Sequence, residues 1–213
     1  MTLDPGAVVK SQGAGFGVSG SLYAIGTASE PVILTSMLDD SYGGDTNGDG
    51  DATLPGAGNW NGIQLGDGGS LTFDYVLARY GGHQIYGYGG PHPLIGASAS
   101  TAANSRVQVA INHSTLEHSG YHALSINDAN ANLRSTLSVA NSTIRNNASS
   151  GIVVGSGLND LVLDQVTVVG NGSDGANISS DRAVTVRDSI FDSNGGGGLA
   201  ASSPNIVVTD SDF

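Results

Sequence analysis

The chain has 213 residues, 33 of them Gly, with no Cys and a formal net charge of −12. Seven Lys and Arg against 19 acids argue against nucleic acid as a partner, because phosphate backbones are met by cations. Without Cys there is no disulfide framework, and no apolar stretch approaches the ~20 residues of a membrane-spanning helix.

In chain order, residues 1–36 read as short apolar runs between Gly and Pro breaks: Val8-Val9, Val18, Leu22, Ala24-Ile25 and Val32-Ile33-Leu34. An acidic segment, 37–59, interrupts them. From there to residue 213 one pattern returns six times: an apolar residue, one skipped, a second apolar residue, four skipped, then an anchor. The copies are Leu71, Phe73, Ala78; Val109, Ile111, Leu116; Leu137, Val139, Ile144; Leu161, Leu163, Val168; Val184, Val186, Phe191; and Ile206, Val208, Phe213. Anchor-to-anchor steps are 38, 28, 24, 23 and 22 residues. A period in this range marks a solenoid whose turns cannot bury their apolar faces alone.

Apolar residues two apart share one face of a strand. After the anchors come turns rich in Asn and Gly, such as Gly170-Asn171-Gly172 and Ser193-Asn194-Gly195, which suit the left-handed backbone of a sharp corner. Beyond each corner a further apolar run opens, as at Ile152-Val153-Val154. One Lys and two Glu leave few helix formers, and a dense Leu framework is absent, so helical and leucine-rich repeats are excluded. The fold class expected is all-β, a parallel β-helix of roughly eight coils in a single domain: first coils in 1–36, regular coils in 60–213. Two inserted loops, at about 37–59 and 83–105, interrupt it. Asn147, Asn171 and Asn194 fall at one position of successive coils and should stack as an amide ladder.

The acidic insertion carries the strongest chemical signal. Asp45, Asn47 and Asp49 followed by Gly50 reproduce the first half of a calcium loop, with oxygen ligands at alternate positions and Gly at the bend. Gly56 stands where an EF-hand places its bidentate Glu, so the shell must close otherwise, from Asp39, Asp40 or Asp51. Ca²⁺ in a structural role is the expected cofactor. The second insertion is rich in aromatics. Tyr86, Tyr88 and His92 within it, with Trp60 and Tyr80 expected nearby, are the candidate ligand-binding residues, since aromatics among glycines can stack on sugar rings. His113, His118, Glu117 and His122 straddle a corner, which suits surface histidines better than a zinc site. Five Asn-X-Ser/Thr triplets, including those at Asn147 and Asn171, follow from the composition of corners. No catalytic residue is assigned: paired carboxylates on the coils are absent, and the few cations form no compact site with an acid.

The order of elements from Pro5-Gly6-Ala7-Val8-Val9-Lys10 to Pro31-Val32-Ile33-Leu34, together with Trp60-Asn61-Gly62-Ile63 and Ala78-Arg79-Tyr80-Gly81-Gly82, resembles the right-handed parallel β-helix proteins of the pectate-lyase-like class, found in large secreted bacterial proteins. The resemblance covers nearly the whole chain. It implies a right-handed coil and an extracellular or cell-surface location, although Met1-Thr2-Leu3-Asp4 carries no signal peptide. It does not choose among the lyases, hydrolases, adhesins and spacers that share the scaffold. The function expected is a non-catalytic, calcium-stabilised structural or adhesive module, cut from a longer chain, that binds polysaccharide or cell-surface glycan weakly. The alternatives are a polysaccharide lyase and a module that self-associates end to end through its C-terminal coil, since Phe213 sits at an anchor.

Overall fold

The computed structural model describes residues 1–83, 91–99, 105–128, 135–155 and 158–213. Among these residues, twenty-two short strands form three parallel sheets of eight, seven and seven strands, sheets I, II and III. The chain visits them in strict rotation, so the protein is a right-handed parallel β-helix with seven complete coils and the leading strand of an eighth. A typical coil runs through Ser135–Ala140, Thr143–Arg145 and Ile152–Val154.

Register explains the recurring pattern. In sheet I, Leu22, Leu71, Val109, Leu137, Leu161, Val184 and Ile206 occupy one column. Ala24, Phe73, Ile111, Val139, Leu163, Val186 and Val208 form the next inward column, two residues on. The anchors form a column of sheet II: Leu34, Ala78, Leu116, Ile144, Val168 and Phe191. The Phe213 ring stacks on Phe191 at 5.2 Å. These residues are buried in one continuous core up to Phe191. The residues between them face outward, as the period of two requires.

From the coil that opens at Ser70 onward, two corners of the coil turn on a single left-handed residue. Three places before the anchor these are Tyr75, His113, Asn141, Gln165, Asp188 and Asp210; two places after it, Tyr80, His118, Asn146, Gly170 and Ser193. Most are not the Asn or Gly that this backbone favours, so the register of the coil imposes the conformation. Equivalent side chains then meet: Tyr75 stacks on His113 at 4.5 Å and Tyr80 on His118 at 5.5 Å.

The amide ladder forms as expected. Asn147 Oδ1 accepts from the Ser119 N–H at 2.9 Å. The Asn147 Nδ2 donates to Asn171 Oδ1 at 2.8 Å, and Asn171 Nδ2 to Asn194 Oδ1 at 2.9 Å. Asn147 and Asn171 are both 2 % exposed, which rules them out as glycosylation acceptors in the folded chain. A second ladder uses hydroxyls: the Val76, Ser114, Val166 and Ser189 N–H groups donate to Ser114, Ser142, Ser189 and Ser211 Oγ, one coil onward in each case.

The first insertion, 37–59, lies between strands Val32–Ser36 and Ile63–Leu65, at the corner from sheet II to sheet III. The expected second insertion, 83–105, is corrected by the structure: it contains the strand Ile95–Ala99, which pairs with the coils on both sides. Gly96 between buried Ile95 and Ala97 obscures the alternation. What remains falls on two separate corners, one from sheet II to sheet III ahead of Ile95 and one between Ala99 and the sheet I strand that opens at Gln108. The unequal repeat steps have the same origin, since Asp128 and Ser135 bound one return to sheet I whereas Ser202 and Asn205 bound another.

Asn171→Ala should cost about 2 kcal/mol or more, because Asn147 loses an acceptor in a buried position where water cannot replace it. Urea unfolding monitored by circular dichroism measures this, with outward-facing Val162→Thr as a near-neutral comparison.

Candidate metal centre

The acidic insertion winds around one carboxylate. Asp45 Oδ1 accepts from the Gly48 N–H at 2.7 Å and Asp49 N–H at 3.2 Å, while Oδ2 accepts from Gly50 N–H at 2.8 Å. Gly48 and Gly50 are left-handed (φ 75° and 63°), which lets successive amides point inward. These bonds, that from Gly50 foremost, hold the Asp45 carboxyl below the usual carboxylate range.

Three carboxylates converge there. Ligand oxygens of Asp40, Asp45 and Asp49 lie within 4.8 Å of one another. Asp40 Oδ1, Asn47 Oδ1 and Asp49 Oδ1 are shut off from solvent and have no hydrogen-bond donor. Asn47 Nδ2 and Asp49 Oδ2 are instead tied to Thr53 Oγ1, at 3.1 and 2.6 Å. Burial, and then repulsion by Asp45, raise the Asp40 pKa, with Lys10 opposing. The donor set is therefore all oxygen, negatively charged and short of partners. It fits a hard cation such as Ca²⁺, whose ligands at 2.3–2.6 Å stand up to about 5 Å apart across the ion.

The loop is docked on the first coil. A Cβ at Gly43 would meet Val8 Cγ1 at 3.3 Å, and the Lys10 ammonium donates to the Gly44 carbonyl. The Lys10 side chain is 6 % exposed and lies 4.0 Å from Asp40 Oδ1. It is the nearest internal counter-charge, one against three carboxylates.

Asp39 and Asp51 are placed apart from this group. Asp39 is buried and turned to the coil wall, accepting from Thr35 Oγ1, Ser41 N–H and Ser41 Oγ. Its Oδ2 lies 3.7 Å from Arg79 Nε. Asp51 is exposed and lines a cleft of about 470 Å³ with Asp40, Arg79 and Tyr80. On sheet II, Arg79, Glu117 and Arg145 stand in register on three successive coils. Glu117 Oε1 is 3.6 Å from Arg79 Nε, and Glu117 Oε2 accepts from Arg145 Nε at 2.8 Å. The expectation that no compact Arg-and-acid site exists is thus corrected, because the insertion returns Asp39 to Arg79. Burial opposes the Arg79 charge, but Tyr80 and the two carboxylates outweigh it and hold its pKa above the ordinary guanidinium value.

The aromatic candidates separate. Trp60 is a correction: it is 1 % exposed, packs edge-on to Phe16 at 6.1 Å and donates its indole N–H to Arg79 O, so it offers no sugar platform. Gly81 is required beside it, since a Cβ there would meet Trp60 Cε2 at 2.7 Å. The Tyr80 ring is covered by Arg79, whose Cζ is 4.3 Å from its centroid, and stacks on His118. Tyr86 and Tyr88 lie outside the described residues. His92 pairs with His83 in an antiparallel bridge. His113 and His118 are left-handed corner residues, and His122 faces sheet III.

Residues 122–213 match the family described as right handed beta helix region. The chain is a parallel β-helix repeat protein. No curated protein and no solved structure matches it. The part of the β-helix that matches this family is its ladder-bearing portion, whereas the acidic loop, Arg79 and Glu117 lie outside the matched residues. Lys10 and the Asp39–Arg79–Glu117 contact escaped the sequence reading, as each joins segments that only the winding of the β-helix brings together.

Arg79→Ala should destabilise the β-helix by about 2–3 kcal/mol, because buried Asp39 loses its cation and Glu117 keeps Arg145 alone. Adding Asp39→Asn and Glu117→Gln should restore most of that loss in urea unfolding; an additive further loss would show that the three residues do not act as one unit.

Proposed function

We propose that the chain is a calcium-stabilised, non-catalytic β-helix module of the cell surface or extracellular space, structural in its rod and adhesive on its outer faces. The observation that carries this reading is the set of unpartnered buried oxygens on Asp40, Asn47 and Asp49 beside Asp45. Three carboxylates held together cost free energy that one ammonium offsets only in part, and a divalent cation removes the excess. The metal would act by fixing the 37–59 loop against Lys10 and Val8. Location outside the cell accords with this assignment, since millimolar free calcium suits an exposed loop site.

The rival enzymatic reading, a lyase with Arg79 as base, is weakened by the surroundings of that residue. A guanidinium held between Asp39 and Glu117 and bonded to Tyr80 stays protonated and takes up no proton at neutral pH. No unsaturated ends should then appear when the protein is incubated with acidic polysaccharides and Ca²⁺.

With free calcium a hundredfold above Kd, binding to the folded state alone stabilises by about 2.7 kcal/mol, which raises the melting temperature by roughly 5–10 °C for a chain of this length. Chelator should remove that increment in the unaltered protein and have no effect on Asp45→Ala or Asp49→Ala. Equal melting with and without chelator, together with no heat of calcium binding in calorimetry, would overturn the reading.

A further inference from the structure

The outer face of sheet III carries a groove of about 480 Å³ that lies away from the acidic loop. Register sets its floor. Gln64, Gly96, Ser125 and Val153 stand side by side on four successive coils, and Ser98 pairs with Asn127 two places further on. Gly96 keeps the floor low, since a Cβ there would meet Gln64 Oε1 at 2.3 Å. The wall is the corner leading into the sheet. On one coil it consists of Pro91 and Pro93, fixed by the reciprocal backbone bonds of His83 and His92 at 2.8 Å. On the next it consists of Tyr121 and His122, whose rings pack at 3.8 Å.

In a chain of net charge −12, no Asp, Glu, Lys or Arg among the described residues lines this groove. Burial holds the His122 pKa below its ordinary value. Its Nδ1 accepts the Ser150 N–H at 3.2 Å, which leaves the proton of the neutral ring on Nε2. The lining thus offers amides from Gln64 and Asn127, hydroxyls from Ser98, Ser125 and Tyr121, and the imidazoles of His92 and His122. Among the described residues, the side-chain amides of Gln64 and Asn127 donate only over long distances, 3.4 Å to the Leu65 carbonyl and 3.5 Å to Ser125 Oγ, which a ligand hydroxyl can better.

These properties select a ligand class. A charged ligand would lose hydration here and meet no counter-charge. A peptide strand would need a free sheet edge, but this floor is a sheet face whose backbone is already paired. Groups that both donate and accept, without charge, match the hydroxyls of sugars. We propose that this groove binds a short stretch of neutral glycan along the coil axis. Four coils at about 4.8 Å spacing give a floor roughly 15 Å long, which suits an oligosaccharide rather than a single sugar. The proposal deepens the adhesive part of the function given above and is independent of its calcium part.

The test is retention on an array of immobilised neutral oligosaccharides, uronic-acid-containing oligosaccharides and random peptides. The unaltered protein should retain neutral glycans. Ser98→Trp, at an exposed strand position opening on the groove, and Asn127→Ala should each reduce retention at least tenfold without lowering the melting temperature. Val162→Thr, outward on sheet I, should bind glycan as the unaltered protein does. Neutral glycans retained equally by Ser98→Trp and Asn127→Ala would overturn the groove and leave an adhesive module that binds elsewhere. Retention confined to acidic glycans or to peptides would overturn the proposal as well. No retention at all would overturn both the groove and the adhesive reading, while the chelator melt still judges the metal separately.

Discussion

Each strand residue of this protein answers to the one paired with it on the neighbouring turn. Parallel pairing along the axis fixes that correspondence through backbone hydrogen bonds, and the side chains follow. An inward residue must therefore fit above and below residues of its own column, which is why Leu, Val and Ile alternate so freely in the sheet I columns while Asn persists in the ladder. The same constraint forces Tyr, His, Gln, Asp and Ser into left-handed backbone at corners where glycine would be easier. Cooperation between coils outweighs local preference at those positions.

That dependence also explains what could be read from residues alone. The pattern Leu137, Val139, Ile144 and its relatives was legible because two inward strand positions and an anchor bury nothing else, and the spacing is short. The Asn147–Asn171–Asn194 ladder followed from equal spacing after the anchors. The strand Ile95–Ala99 stayed hidden, because Gly96 breaks the alternation and the preceding corner is extended. Candidate site residues were legible only where ligands are close in sequence. Asp45 and Asn47 to Asp49 announced themselves within one loop, but the approach of Lys10 to Asp40, and of Asp39 to Arg79, depends on how the insertion folds back over coils. Trp60 was misassigned for a related reason. An indole beside Gly reads as exposed until the neighbouring coil is seen to lack a side chain at Gly81.

The two extended corners from sheet II to sheet III sit on adjacent coils, and they touch. A Cβ at Gly58 would meet His83 Cβ at 3.2 Å. Within this cluster the chain departs from the minimum coil, and it holds the acidic loop, the cleft beside Arg79 and the wall of the sheet III groove. Later coils have short corners and stacked amides in the same place. The molecule thus divides its labour along its length: irregular coils present chemistry, and regular coils supply stiffness.

The bonds between coils point along the rod. Tension applied at its two ends therefore loads the coil boundaries in series, and the weakest boundary parts first. From Ser119 to Asn194 each boundary carries an amide rung in addition to its backbone bonds. Stretching should accordingly begin among the early coils, where the described residues carry no stacked-Asn rung and the insertions bridge the gap. In a surface-anchored rod those coils would act as the mechanical fuse, and the ladder-bearing coils would stay wound.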